Sequence, residues 1–222
     1  VAKDTVLTPN HIDKLFSYDI PGVPIVSSNE EESSNIQDTE EFKEFKENYH
    51  DTKTSVQNQI LDIGDGKSVD ITELFTITND LLVDMNYKSS LFNFLNNIQH
   101  FDDYTYSHSL NVSLIAFTLG QWLNMSGDEL QNLTVTGLLH DIGKTKISLD
   151  ILNKPSKLTD EEFQEVKKHT IYGYEIVENQ DIPYEMKMAI LMHHERYDGS
   201  GYPFKVKNEK INKYAKIIEI AD

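Results

Sequence analysis

Apolar residues recur at helical spacing over most of this 222-residue chain, and this period limits the folds that the chain can adopt. From about Thr39 to Ile63 they lie on one broad face, and Gly64 follows as a helix-ending residue. No stretch after residue 27 alternates apolar and polar residues as a half-buried strand does. Further helices are predicted at about 70–85, 89–101, 127–140, 159–178, 184–194 and 212–222. The predicted fold class is therefore all-α, a helical bundle.

Four regions are predicted along the chain. Residues 1–26 are a small partial module of unknown role, because they are too few to bury a core of their own. Residues 27–41 are an acidic linker of mainly Ser, Asn, Asp and Glu. Residues 42–101 form a helical lead-in region, and residues 102–222 form the main domain. The length of the first predicted helix leaves room for a coiled coil that joins two copies into a homodimer.

Composition excludes several classes of protein. The net charge of −17 argues against binding a nucleic-acid polymer, which needs basic patches. No run of about 18 apolar residues occurs, so no membrane segment is expected, and the first residues show no signal-peptide pattern. A cytoplasmic location fits these features. The chain has no cysteine, so nitrogen and oxygen atoms must hold any metal.

An adjacent His-Asp pair, His140 and Asp141, follows a predicted helix. From one point on the backbone, the imidazole can bind one ion while the carboxylate bridges that ion to a second. Lys144 follows Asp141 by three positions, so on a helical turn it faces the same side and can meet an anion held by the metals. This pattern is typical of a two-metal hydrolytic site for a phosphate ester.

Five of the eight histidines fall within or beside apolar helical segments, where an unpaired imidazole is costly. Each alone would more often be a core or interface histidine than a metal ligand. Together with two aspartates on separate helices they fit a di-metal site inside a bundle. Two divalent ions and Lys144 would also reverse the repulsive acidic field locally, so we expect very poor substrate binding without metal. The candidate side chains are His108, His140, His169, His193, His194, Asp141 and Asp222.

The span from about Asp102 to Asp222 resembles the HD-GYP family, a subgroup of the HD phosphohydrolase superfamily. The long second signature, at the right distance from the His-Asp pair, is the specific part of this resemblance. The matching motifs are Tyr104-Thr105 with His108-Ser109, His140-Asp141-Ile142-Gly143-Lys144, Lys154-Pro155 with Leu158-Thr159, His169 with Gly173, His193-His194-Glu195-Arg196-Tyr197-Asp198-Gly199-Ser200-Gly201-Tyr202-Pro203, and Ile220-Ala221-Asp222.

The resemblance implies a phosphodiesterase that linearises or fully cleaves cyclic di-GMP with iron, manganese or a similar divalent metal. It implies that Asp141 bridges two ions, that Lys144 stabilises charge on the phosphate oxygens, and that Asp102 assists proton transfer. The loop that ends in Gly-Tyr-Pro would border the substrate and contact signalling proteins. Implied metal ligands are His108, His140, Asp141, His169, His193, His194 and Asp222, and implied substrate contacts are Lys144, Arg196, Gly201, Tyr202 and Pro203.

Two departures from the family pattern refine this expectation. Some members hold a third metal through a glutamate one turn before the first histidine, but Tyr104 stands there, so we expect two metals. Members also continue past the last ligand into a helix whose Arg or Lys binds the nucleotide. The sequence ends at Asp222, so the domain is expected to be truncated at its C-terminal end.

Three alternatives to this enzyme remain open. One is a catalytically weak signalling scaffold that docks partner proteins through the Gly-Tyr-Pro loop, although such a protein would tolerate missing ligands. Another is an HD phosphohydrolase acting on a different nucleotide, which the intact Gly-Tyr-Pro signature disfavours. A third is the same chemistry on a mixed guanine-adenine cyclic dinucleotide.

Overall fold

The computed structural model describes residues 39–83, 91–98 and 104–222, and every regular element within these ranges is a helix. The prediction of an all-α bundle is confirmed. The predicted N-terminal module, nearly all of the acidic linker, and Asp102 lie outside the described residues. Residues Glu40–Asp222 form one unit. In the ranges described, no helix combines the length and apolar character needed to cross a membrane.

Ten α-helices and two 3-10 helices are present in the described ranges. The first five are α1 (Glu40–Gly64), α2 (Ile71–Val83), α3 (Leu91–Ile98), α4 (Tyr104–Trp122) and α5 (Gly127–Leu139). A 3-10 helix, Ile142–Lys146, comes next, followed by α6 (Leu149–Leu152), α7 (Asp160–Lys167), α8 (His169–Val177) and α9 (Tyr184–Met192). A second 3-10 helix, Asn208–Lys210, precedes α10 (Lys213–Ala221).

Helix α1 packs its apolar face inside the chain. Its phenylalanines Phe42 and Phe45 are buried, with ring centroids 5.4 and 5.2 Å from the ring of Phe94 on α3. Tyr49 continues the same face and is 1% exposed. At the far end of α1, the Gly64 carbonyl accepts a hydrogen bond from Lys146 Nζ at 2.8 Å. The lead-in helix is thereby joined to the 3-10 helix that follows the His-Asp pair.

Helices α4 and α5 approach each other closely because a glycine lies between them. A Cβ at Gly137 would lie 2.7 Å from the Cα of Ser113, so any larger residue would push the helices apart. The Ser113 hydroxyl donates to the Thr134 carbonyl at 2.9 Å across the same contact. This packing fixes the distance between the start of α4, which carries His108, and the end of α5, which precedes His140.

Side-chain caps begin α5, α7 and α10. The predicted capping box at Thr159 is present: Glu162 N–H donates to the Thr159 hydroxyl at 3.2 Å, and Thr159 N–H donates to the Glu162 carboxylate at 2.7 Å. Ser126 forms the same box at the start of α5. The Asn212 side chain accepts two backbone N–H groups at the start of α10. These caps explain why short helices begin where they do.

The single helix predicted over residues 159–178 is wrong, because the structure breaks it at Lys168 into α7 and α8. The Lys168 N–H donates to the carbonyl of Glu165, three residues back, which tightens the turn. The Nδ1 atom of His169 bonds to the carbonyl of Val166 at 2.7 Å, so this carbonyl has a side-chain partner. The spacing of apolar residues does not predict a hydrogen bond between a side chain and the backbone.

Candidate metal centre

Seven predicted side chains converge from the ends of separate helices. His108 comes from α4, and Asp222 follows α10. His140 and Asp141 follow α5, His169 begins α8, and His193 and His194 follow α9. His140 and His193 are 0% exposed and His169 is 1% exposed. Residues more than a hundred positions apart therefore meet in one cluster, with His140, His169 and His193 in its buried part.

The seven side chains form two groups, and within each the possible ligand atoms lie within 4.8 Å of one another. One group is Asp141, His169, His193 and His194, and the other is His108, His140 and Asp222.

Asp141 faces both groups with different oxygens. Its Oδ1 lies 3.3 Å from His169 Nε2 and 3.9 Å from His193 Nε2. Its Oδ2 lies 3.2 Å from His140 Nε2 and 3.7 Å from His108 Nε2. One carboxylate thus stands between two sets of imidazoles, the arrangement that a bridging ligand needs.

Three of the imidazoles are oriented by the backbone in the same way. Each places its Nδ1 against the carbonyl three residues earlier in the chain. The pairs are His140 with Gly137 (2.7 Å), His169 with Val166 (2.7 Å) and His193 with Ile190 (2.8 Å). Because a carbonyl can only accept, the proton of each neutral ring lies on Nδ1 and the lone pair lies on Nε2. All three lone pairs point into the cluster, as in metal-bound histidines.

The cluster contains polar atoms that its own side chains cannot satisfy. His169 Nε2 and His193 Nε2 lie 3.2 Å apart, although neither carries a proton to share when both rings are neutral. Within the described part of the chain, His140 Nε2 and Asp141 Oδ1 are buried without a hydrogen-bond partner. Such atoms are costly unless a cation lies among them. The donor set of imidazole nitrogens and carboxylate oxygens therefore fits divalent metal ions.

Burial and neighbouring charges set the protonation of these groups. Burial lowers the pKa of His169, lowers that of His193 well below its usual value, and lowers that of His194 to about 4. Burial opposes a charge on His140 too, but Asp141 outweighs it and raises the pKa of His140. The cluster therefore presents largely neutral imidazoles, which is the form that binds metal.

Lys144 lies on the 3-10 helix and reaches back to the aspartate, as its three-residue spacing indicates. Its Nζ is 2.5 Å from Asp141 Oδ2, and its side chain is 26% exposed. Burial opposes ionisation of Asp141, but His140, Lys144 and His169 together hold its pKa well below the usual value. A carboxylate that favours its ionised form and a partly exposed ammonium group thus lie side by side at the cluster.

Gly143 allows the His-Asp segment to lie against α8. A Cβ at this position would be 1.9 Å from the His169 carbonyl oxygen and 2.4 Å from Gly173 N. The backbones touch at a distance that only glycine permits. This contact brings Asp141 and His169 together.

Of the residues predicted to contact substrate, Lys144 lies on the first 3-10 helix and the other four lie along the loop after α9. Tyr202 packs on His194, with ring centroids 4.7 Å apart and planes at 30°. Gly201 is buried and Pro203 is half-buried. Arg196 is exposed, and its contact with substrate stays a prediction. Asp102 lies outside the described residues, so its role in proton transfer stays a prediction.

Glu195 is a structural residue that the sequence reasoning did not single out. It is 2% exposed, and its carboxylate accepts the backbone N–H groups of Phe204, Lys205 and Val206 at 2.6, 3.0 and 3.0 Å. It thereby folds the loop back onto the end of α9. Its position directly after the His193-His194 pair was the available signal, because an acidic side chain there can accept the N–H groups of the following loop.

Comparison with known proteins agrees with this geometry. The family model described as an HD domain matches residues 89–222. A cyclic di-GMP phosphodiesterase from Pseudomonas aeruginosa is 30% identical over 171 residues, which are 77% of this chain and 41% of that protein. The cyclic di-GMP phosphodiesterase response regulator RpfG from Xanthomonas campestris is 35% identical over 127 residues, 56% of this chain and 34% of that protein.

A third relative is named a 3'3'-cGAMP-specific phosphodiesterase and comes from Vibrio cholerae. It is 35% identical over 122 residues, 54% of this chain and 28% of that protein. The chain thus spans less than half the length of each of these curated relatives.

Among solved structures, an HDG"Y"P protein from Bdellovibrio bacteriovorus has the same fold. The TM-score is 0.59 at 21% identity, over 77% of this chain and 56% of that chain. The family match covers more than half of the chain and includes both signatures. The chain belongs to the HD-domain family and, within it, to the HD-GYP group.

Proposed function

We propose that this chain is a metal-dependent phosphodiesterase that hydrolyses cyclic di-GMP to the linear dinucleotide, to GMP, or to both. One observation carries the proposal: imidazoles and carboxylates converge in one cluster, where His140 Nε2 and Asp141 Oδ1 are buried without a hydrogen-bond partner among the described residues. The names of several relatives support the substrate, since they are cyclic di-GMP phosphodiesterases. Both signatures of the family are present in the same chain.

The proposed cofactor is a pair of divalent ions, iron or manganese. Imidazole nitrogens and carboxylate oxygens suit both metals, and the chain offers no thiolate. Asp141 would bridge the ions, because its two oxygens face different groups of histidines. One ion would be held by Asp141, His169, His193 and His194, and the other by Asp141, His108, His140 and Asp222.

The reaction would need little movement of the protein. Bound divalent ions polarise a phosphate and make a water acidic enough to ionise near neutral pH. Lys144, already beside Asp141 Oδ2 and 26% exposed, would stabilise negative charge that develops on the non-bridging phosphate oxygens. The i−3 carbonyl bonds of the buried histidines hold their rings in place before substrate arrives.

The substrate would enter beside the loop after α9. Tyr202 and Pro203 lie half-buried there, and Arg196 is exposed for contact with a phosphate or base. The net charge of −17 repels a nucleotide, so the cations and Lys144 must provide the local attraction. Binding of the substrate should therefore depend strongly on metal.

A second substrate is supported by one comparison. Relatives from Vibrio cholerae are named 3'3'-cGAMP-specific phosphodiesterases, and they match at identities similar to those of the cyclic di-GMP enzymes. Both ligands contain two phosphodiester bonds in a ring and differ in one base. The metal-binding groups would act on the phosphodiester bonds of either nucleotide. The side chains that contact the bases would therefore determine which nucleotide is the substrate.

Protein partners belong to the same proposal. Tyr197 is 74% exposed and Phe204 is 56% exposed on the loop after α9, which gives this loop apolar surface for docking a signalling protein. The predicted homodimer would need a surface other than the apolar face of α1, because that face packs inside the chain. The predicted cytoplasmic location is the one in which these cyclic dinucleotide substrates would be met.

The decisive experiment combines metal analysis with product identification. The protein is loaded with Mn²⁺ or Fe²⁺, incubated with cyclic di-GMP or 3'3'-cGAMP, and its products are separated by chromatography. We expect turnover with metal and none after chelation. Simultaneous His140→Ala and Asp141→Ala should abolish both metal content and cleavage while helicity stays near normal. His50→Ala, at an exposed site on α1, is the matched control and should change neither.

Metal-loaded protein that leaves both nucleotides intact would contradict the proposal. Turnover that persists in the His140→Ala, Asp141→Ala variant would contradict the metal mechanism.

A further inference from the structure

His194 differs from the three histidines whose rings are held by the backbone. His140, His169 and His193 each bond to a carbonyl three residues earlier, but within the described residues the ring of His194 makes no hydrogen bond. Its Nδ1 lies 3.8 Å from Asp222 Oδ2, beyond hydrogen-bond distance, and its side chain is 26% exposed. Some other contact must fix its orientation if it is to hold an ion.

Tyr202 provides that contact. Its ring lies on His194 with centroids 4.7 Å apart and planes at 30°, close to a stacked geometry. Its backbone N–H donates to the His194 carbonyl at 3.1 Å, so main chain and ring are held together. The same ring meets His169 edge-on at 6.4 Å. The rings of His193 and His169 also lie near His194, at 4.2 and 5.1 Å between centroids, but both belong to the cluster itself. Tyr202 therefore limits the rotation of the His194 imidazole from the side of the loop.

The loop that presents Tyr202 is itself held by Glu195. The carboxylate accepts three consecutive backbone N–H groups from residues 204–206, directly after the Tyr-Pro pair. Gly201 lets the chain pass close by, because a Cβ there would be 2.3 Å from the His194 carbonyl oxygen and 2.5 Å from Glu195 Cα. A chain of contacts thus runs from Glu195 through the loop to Tyr202 and then to His194.

We propose that Tyr202 is a positioning residue, which aims the imidazole of His194 into the group formed with Asp141, His169 and His193. Glu195 acts indirectly, by holding the loop that presents Tyr202. The inference rests on the proposed metal-binding role of the cluster and gives Tyr202 a task separate from contact with substrate. The aromatic ring performs that task, since stacking uses the ring face and the hydroxyl contributes nothing to it.

The test measures Mn²⁺ affinity without any substrate. Metal-free protein is titrated with Mn²⁺, the free ion is followed by electron paramagnetic resonance, and circular dichroism checks helicity and Tm. Tyr202→Phe keeps the ring and should bind both ions within about twofold of the unaltered protein, while Tyr202→Leu should weaken one of the two by about 10- to 100-fold. Tyr197→Leu, in the same loop but 74% exposed, is the matched control and should leave the Mn²⁺ affinity and Tm unchanged.

Glu195→Gln provides a second variant that keeps the side-chain size. It removes the charge that holds the loop, so it should weaken the same ion as Tyr202→Leu does. If Tyr202→Leu does not fold, the Mn²⁺ affinity of Glu195→Gln tests whether the loop positions His194, and an unchanged affinity would contradict the inference.

Several outcomes would overturn the inference. Unchanged Mn²⁺ affinity in Tyr202→Leu, with only a higher KM for a cyclic dinucleotide, would make Tyr202 a substrate contact. Equal losses in Tyr202→Phe and Tyr202→Leu would assign the effect to the hydroxyl. Protein that binds no Mn²⁺ at all would overturn both this inference and the proposed function. Protein that binds Mn²⁺ but cleaves no nucleotide contradicts the proposed function alone, because the affinity comparison still tests Tyr202.

Discussion

The Nε2 atoms of His169 and His193 lie 3.2 Å apart, while the Nδ1 atom of each ring bonds to a backbone carbonyl. Two neutral rings in this geometry point lone pairs at each other. Asp141 Oδ1 adds a third electron-rich atom 3.3 Å from His169 Nε2. The metal-free cluster is therefore an unfavourable arrangement that the rest of the fold maintains, and a cation would relieve it.

We therefore expect divalent metal to raise the stability of the protein substantially. At an Mn²⁺ concentration about 100 times Kd, binding to the folded state alone adds about 2.7 kcal/mol per site. Thermal unfolding with Mn²⁺ and with a chelator measures the change in Tm. The His140→Ala, Asp141→Ala variant should show no such change. An equal rise in that variant would mean that Mn²⁺ binds elsewhere.

Acidification should destabilise the metal-free protein between about pH 6.5 and pH 4. Burial lowers the pKa of His169, His193 and His194, the last to about 4, while the unfolded chain titrates near 6.5. As the pH falls through this range the unfolded chain takes up protons that the folded chain does not, so the free energy of unfolding decreases. The contribution of His140 to the free energy of unfolding has the opposite sign, because its pKa is raised. The three histidines with lowered pKa values should outweigh it.

Urea unfolding of the chelated protein at several pH values measures this dependence. Each such group contributes at most about 1.4 kcal/mol per pH unit. His194→Gln removes one contribution and should flatten the profile between pH 6.5 and pH 4. Stability that rises on acidification across this window would contradict the assignment of neutral imidazoles.

The sequence predicted which side chains the fold brings together at this centre better than it predicted how they are held. Helical period and capping patterns placed most helices, and the chemistry of His, Asp and Lys pointed to the residues that the fold brings together. The break at Lys168 was not predictable in the same way, since it depends on the His169 ring occupying the Val166 carbonyl. The acidic residue after the His193-His194 pair, Glu195, indicates an acceptor at that point, but which backbone N–H groups it accepts depends on how the loop folds back.

Replacement of Gly143 by alanine should disrupt the fold around the centre. The new Cβ would lie 1.9 Å from the His169 carbonyl oxygen, where backbone atoms on both sides leave no flexible group to yield. We expect a loss of about 3 kcal/mol or more in the free energy of unfolding, together with loss of bound Mn²⁺.

Gly127→Ala is the matched control for this substitution. Gly127 begins α5, and a Cβ there meets nothing within 4 Å. Its stability should stay within about 0.5 kcal/mol of the unaltered protein or rise slightly. Gly143→Ala protein with normal stability and metal content would show that α8 does not lie against the His-Asp segment as described.

Replacement of Lys144 by alanine should reduce turnover much more than metal content. Without its ammonium group, charge on the phosphate oxygens loses a stabilising partner, and the rate should fall by about 10²- to 10³-fold. His140 and His169 still favour the ionised form of Asp141, so the metal-binding groups keep their charge. Metal analysis alongside steady-state kinetics separates the two effects. Equal losses of turnover and metal would make Lys144 a structural residue.

A crystal structure with Mn²⁺, with anomalous difference maps, would show whether two ions lie in the cluster. We expect two anomalous peaks about 3.5–4 Å apart, with Asp141 contacting both. His169, His193 and His194 should surround one peak, and His108, His140 and Asp222 the other. Peaks absent from the cluster, or present only at other acidic residues, would contradict a two-metal centre at Asp141.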